Sequence, residues 1–251
     1  MGFILTAIKI IFLLGFLIII HEGGHFLVAK LCKVRVNEFA IGFGPKIWSK
    51  QGKETRYELR LIPFGGFVNM EGEEERSDAE GSFSKASKKK RFAIIVAGAL
   101  VNIIFGLIAY IVIIAVKYYS AIEQDVFSAI AYGINSVWGL IYAMFDSIVQ
   151  LFTGKVSLNE MVGPVGISQM VSQTSGVLQF VYLLAIISIS LGVTNLLPFV
   201  PLDGGKALLI IIEAIRKKPL KEETEMKLQS LGFFLLIVLS VIIAWNDILR
   251  L

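Results

Sequence analysis

The sequence predicts an α-helical integral membrane protein, and three observations carry that prediction. Of 251 residues, 55% are hydrophobic and only 18% charged, whereas a soluble domain is about 45–50% apolar and about 25% charged. The apolar residues gather into runs able to cross about 30 Å of hydrocarbon at 1.5 Å per residue. The 24 Lys and Arg residues are also unevenly spread: 14 lie between Lys30 and Arg91 and six between Pro198 and Gln229.

Four runs are expected to span the bilayer, at about 4–28, 92–116, 177–197 and 226–245. The first is too long for a signal peptide and carries no small-residue cleavage site. The last is short and borrows Met226 to Ser230 to reach full length. A further apolar stretch, 127–152, is long enough to span but holds Asn135, Asp146 and Gln150. Cytoplasmic loops are enriched in Lys and Arg. Four spans place 20 of the 24 cations on one side, and a fifth would send six of them across. The stretch 127–152 is therefore expected to be an interfacial helix, with both termini extracytoplasmic.

Between the first two spans, the segment 33–70 reads as β-structure. Val34–Ile41 and Thr55–Met70 are rich in β-branched and aromatic residues, and Tyr57-Glu58-Leu59-Arg60-Leu61 alternates as a strand does. Gln51-Gly52-Lys53 marks the turn. These sheet segments are expected to accept an extended substrate by strand addition, with Gly65 and Gly66 among the substrate-binding residues, and the apolar stretch Ile62–Val68 is expected to dip into the membrane. The acidic run Glu71–Glu80 reads as a solvated linker, and the cluster Lys88–Arg91 as a contact for anionic lipid.

The first span ends in chemistry. His21-Glu22-Gly23-Gly24-His25 is H-E-x-x-H, and these are the only two histidines of the chain. Four residues apart on a helix, both imidazoles share a face and can bind one Zn²⁺, with Glu22 as general base on a bound water. An ionisable cluster inside a hydrocarbon-length run is costly and rarely incidental. Gly23 and Gly24 serve either helix packing or substrate access. A catalytic zinc usually takes three protein ligands, so the third must be a carboxylate or the single cysteine, Cys32. Asp203, just past the third span, lies at the matching depth; its bland role would be a helix N-cap. Cys32 is the weaker rival.

Taken in order, these residues resemble the site-2 protease family over nearly the whole chain. The resemblance runs through His21–His25, Gly42-Phe-Gly-Pro45, Pro63-Phe-Gly-Gly-Phe67, Ala97-Gly98 with Asn102, Gly163-Pro-Val-Gly166, Asn195–Gly205 and Trp245-Asn-Asp247. It is closest to the bacterial branch that cleaves anti-sigma factors and signal-peptide remnants. The resemblance implies zinc on His21, His25 and Asp203, catalysis by Glu22, and substrate handling by Asn195 and Pro198. Asn102 is read as a simple interhelical hydrogen bond. The implied partners are transmembrane proteins or signal-peptide remnants and the lipid bilayer, with no nucleic acid. Relatives of this branch carry PDZ domains between spans two and three; the segment Lys117–Gly176 leaves no room for one. The rival functions are an idle zinc-binding scaffold, which has no need of Glu22, and a metal transporter, which calls for several sites or an inverted repeat.

Overall fold

The computed structural model describes residues 2–73, 75–122, 125–155 and 161–250. Among the described residues, seven helices, α1 (Gly2–Leu31), α2 (Lys88–Ile122), α3 (Val126–Phe152), α4 (Pro164–Ser172), α5 (Val177–Asn195), α6 (Asp203–Arg216) and α7 (Glu222–Leu249), accompany two long strands, β1 (Val36–Gln51) and β2 (Arg56–Met70). Five of the helices, α1, α2, α3, α5 and α7, are long and apolar enough to cross a membrane. The interfacial assignment of 127–152 is thus not imposed by length or composition, although α3 has the lowest mean hydropathy of the five, 1.4 against 2.1–2.8 for the others. Large side chains such as Phe127, Trp138 and Tyr142 stand exposed along it, as they do on a helix that meets lipid.

The residues form two compact units. One unit comprises 7–102 and 191–234 and the other 1–6, 103–190 and 235–251.

The first unit holds the sheet. Its register is not that of a plain hairpin. Residues 38–41 of β1 face 69–66 of β2 in antiparallel order and also face 56–59 in rising order, while 46–51 face 60–56. Four extended segments therefore lie side by side as 46–51, 56–60, 36–41 and 66–70. The bends that allow this fall at Gly42, Gly44 and Gly65, all with positive φ, a region open to glycine at no steric cost. Glu38 and Glu58, both buried, are held in the sheet by Arg56, Arg60 and Lys46. The outer segment 66–70 has no further strand beside it among the described residues.

Behind the sheet, an apolar core of Ala29, Val36, Val68, Ile94, Ala207 and Ile210 joins α1, β1, β2, α2 and α6. A buried carboxylate fastens its rim. Glu213, only 1% exposed, accepts the Leu220 amide at 2.8 Å and Arg91 at 2.9 Å, while Lys88 donates to its backbone carbonyl at 2.7 Å. The N-terminus of α2 and the C-terminus of α6 are thereby tied together.

In the second unit, small residues set the helix crossings. A Cβ on Gly106 would meet the Ala185 carbonyl at 2.7 Å, and one on Gly133 the Ile111 carbonyl at 2.6 Å; such close approach is how helices pack where no hydrophobic force drives them together. Tyr118 and Tyr132 stack at 4.3 Å. Asp247 of α7 accepts the amides of Gly163 and Gly166 at 3.0 and 2.9 Å, an anion on the orphan donors at the start of α4. Between α2 and α5 the described elements are the helices α3 and α4, with no strand, so no PDZ domain occupies that interval.

Candidate active site

Within the first unit, the period of α1 puts His21 and His25 on one face, and the first turn of α6 brings Asp203 to them. Nε2 of His21 and Nε2 of His25 are 3.2 Å apart. Oδ2 of Asp203 lies 3.2 Å from the first and 3.4 Å from the second. Three lone-pair atoms thus form a nearly equilateral triangle. Ligands 2.0–2.1 Å from a tetrahedral zinc stand about 3.3–3.4 Å apart, so the edges match a single small ion. Asp203 Oδ2 is buried without a hydrogen-bond donor, an arrangement that costs free energy unless a cation completes it. The donor set, two imidazoles and a carboxylate, suits zinc. Among the described residues this is the one His/Cys/Asp/Glu group placed to hold a metal. Cys32 lies apart from it, in a separate cavity of about 510 Å³ at the end of α1.

The neighbouring helix shapes the two imidazoles. His25 Nδ1 donates to the Ile94 carbonyl at 2.8 Å, which leaves Nε2 as the lone-pair atom in the neutral ring. The Asn102 amide nitrogen, Nδ2, lies 3.4 Å from Nδ1 of His21. Gly98, between them on α2, leaves the space that the His25 ring fills. The two glycines of the motif now separate. A Cβ on Gly24 would meet the Ala97 carbonyl at 2.7 Å and the Gly98 Cα at 2.9 Å, whereas one on Gly23 would meet nothing within 4 Å. Gly24 permits the α1–α2 crossing; Gly23 faces open space.

These groups border a cleft of about 1320 Å³. Glu22 lines it beside His21, His25 and Asp203, and residues 66–70, the outer segment of the sheet, form another wall. Gly66 comes close to Glu22: a Cβ there would meet Glu22 Cγ at 3.1 Å and Ile18 Cγ2 at 3.1 Å. Gly65 does not line the cleft; the Phe43 ring, which does, fills the space beside it.

Asn195 and Pro198 do not line the cleft. Asn195 ends α5, and the turn after it packs its backbone on Gly204 and Gly205, which fixes the start of α6 and so Asp203. Asp203 is not an N-cap: it opens α6, and the preceding Leu202 is the cap, without a side-chain bond. The acidic run is also more than a solvated linker. Glu71 accepts from Asn37 at 2.9 Å, and Glu73 accepts from Lys206 at 3.0 Å. Lys206 lines the cleft and was not singled out from sequence. Its spacing, three residues past Asp203 and hence on the same helical face, was the available signal.

A helical, multi-pass chain with two histidines and an aspartate converging beside a glutamate belongs to the class of membrane-embedded proteins with a metal-binding hydrolytic site. The chain matches peptidase family M50 over residues 9–239 and belongs to that family. Among its relatives, the Bacillus subtilis protein named regulator of sigma-W protease RasP is 25% identical, with 99% of each chain covered. The Bacillus licheniformis protein named zinc metalloprotease RasP is 24% identical over 98% of this chain and 99% of that one. A Clostridium acetobutylicum protein whose name provisionally calls it a zinc metalloprotease is 27% identical, over 93% and 94%. The Bacillus subtilis match extends over 419 positions against 251 residues here, so that relative carries segments this chain lacks.

Proposed function

We propose that this protein is an intramembrane zinc metalloendopeptidase that hydrolyses peptide bonds in or near transmembrane segments, in regulated intramembrane proteolysis or the clearance of signal-peptide remnants. The observation that carries the reading is the triangle of His21, His25 and Asp203 at 3.2–3.4 Å with Glu22 beside it in one cleft. Zinc is the metal named for its relatives.

His21, His25 and Asp203 would hold the ion. Bound there, zinc would polarise a carbonyl and lower the pKa of a water. Glu22 would take a proton from the attacking water and return it to the departing amide nitrogen. Residues 66–70 support the handling of substrate. A transmembrane segment enters as a helix, because lipid satisfies none of its backbone groups, and must be extended before it is cut. The unpaired side of this strand lines the cleft and offers main-chain donors and acceptors, so an extended peptide can add to the sheet and pass Glu22 at Gly66. Asn195, Pro198 and Gly65 act indirectly, by fixing the turn before α6 and the bend before Gly66.

The charge asymmetry supports four spans with α3 interfacial, both termini extracytoplasmic and the metal site towards the cytoplasm. In an idle scaffold, Glu22 would have no work at the open cleft.

The test compares wild type with Glu22→Gln on a model transmembrane substrate in detergent, with bound zinc measured in both. Cleavage by wild type alone, with equal zinc, is expected. Equal zinc with no cleavage by either across a panel of membrane substrates would defeat the proposal.

A further inference from the structure

Positions 94, 98 and 102 of α2 follow one another at intervals of four residues, so they occupy one helical face at successive turns. That face meets the two histidines of α1. At 94 it offers a carbonyl, which accepts His25 Nδ1–H at 2.8 Å. At 98 it offers no side chain, and the His25 ring occupies the space. At 102 it offers a side-chain amide whose Nδ2 stands 3.4 Å from Nδ1 of His21, and Asn102 is 0% exposed.

For His21 to present Nε2 to a metal, its proton must sit on Nδ1, and Nδ1–H then requires an acceptor. The nearby group is an amide whose oxygen and nitrogen exchange places by a half-turn of the side chain. Only its oxygen can accept. We infer that Asn102 is a positioning residue of the metal centre: its amide oxygen accepts His21 Nδ1–H, fixes the tautomer that points Nε2 at Asp203, and does for His21 what the Ile94 carbonyl does for His25. A bare interhelical bond would leave the identity of the Asn102 atom facing His21 indifferent; a tautomer lock does not.

The inference rests on His21 as a zinc ligand, and its test separates the two. Asn102→Leu keeps the bulk and removes the acceptor; Asn102→Asp keeps an acceptor and removes the donor. Purified in detergent, each variant is titrated with a chelator to give its zinc affinity, and its metal-free thermal unfolding is recorded alongside. Asn102→Leu is expected to bind zinc about 10–100-fold more weakly, with metal-free unfolding unchanged, and Asn102→Asp to stay within about threefold of wild type, since a carboxylate is the common partner of a zinc-bound imidazole. If Leu does not give a folded protein, Asn102→Ala takes its place with the same expected loss. Wild-type zinc affinity in the acceptor-free variant, or an equal loss in Asn102→Asp, overturns the inference. His21→Ala binding zinc as wild type does would instead overturn the ligand assignment beneath it.

Discussion

Adjacent glycines of one motif should respond oppositely to the same substitution. In Gly24→Ala the new methyl would lie 2.7 Å from the Ala97 carbonyl oxygen and 2.9 Å from the Gly98 Cα. Both obstacles are backbone, so no rotamer change relieves them. Restoring ordinary contact near 3.4 Å requires α1 and α2 to part by about 0.7 Å, and interiors packed to crystal density resist that. The same movement would stretch the 2.8 Å bond from His25 Nδ1 to the Ile94 carbonyl beyond useful length. It would also carry His25 off the triangle it makes with His21 and Asp203. A misplacement near 1 Å can cost about 100-fold in rate, so a loss of about 10–100-fold is expected, with a lowered melting temperature. In Gly23→Ala the methyl meets nothing within 4 Å, and Ala is the better helix former by about 1 kcal/mol; zinc content and melting temperature should not fall. The assay is cleavage of a transmembrane substrate beside zinc content and a melt for each variant. A Gly24→Ala enzyme with wild-type rate and melting temperature, or a Gly23→Ala enzyme that loses its zinc, would refute the packing argument.

Asp203→Ala should abolish stoichiometric zinc binding and leave the metal-free protein folded, read by metal analysis and circular dichroism; retention of zinc would point to another third ligand. Gly163→Ala places a methyl 2.7 Å from Asp247 Oδ2 and should cost about 1–2 kcal/mol through the lost contact on α4, seen as a lower melting temperature with zinc unchanged. Lys206→Met breaks the pair with Glu73 across the rim of the cleft and should raise proteolytic nicking of residues 71–80 while His21, His25 and Asp203 keep their zinc. Burial pushes the Glu58 carboxyl up, but hydrogen bonding with Lys46, Glu38 and Arg60 outweighs it and holds it near 2 against an ordinary 4.5. A depressed folded value means that its stabilisation is present above about pH 4.5 and is lost as pH falls from there through about 2. Glu58→Gln should therefore lower stability near neutral pH and flatten that acid limb; an unchanged limb would show that the sheet gains nothing from the charge.

Much of this was legible in the sequence because the relevant signals are local. The H-E-x-x-H spacing puts two histidines on one helix face, and the apolar runs fix the long helices. The nearness of Asp203 to the two histidines was legible from its position just past the third span, a coarser cue, helped by the absence of a third histidine. What escaped reading depends on long-range pairing. Alternation in Tyr57–Leu61 announces a strand but does not say that residues 56–59 lie beside 38–41 as well as 46–51. Glu73 and Lys206 are 133 residues apart, so their pairing has no local trace. Asn102 belongs to the resemblance but reads from sequence as a plain interhelical hydrogen bond; only the position of His21 opposite it gives it a further meaning. The standing of α3 was legible only in part, because its length and composition satisfy a crossing helix while the cation count argues against one.

The short outer strand also bears on which substrates can be cut. Residues 66–70 provide five residues of edge, about 17 Å of extended chain. On the proposed strand addition, a guest peptide would surrender its own helical bonds over that stretch before the strand replaced them, and in a dry setting each unreplaced bond costs several kcal/mol. Selection would then act on the energy needed to melt one helical turn and a half, and little on particular side chains. Membrane segments weakened by glycine or by β-branched residues would be cut and uniformly leucine-rich ones spared, a preference that a library varying only those positions would measure directly.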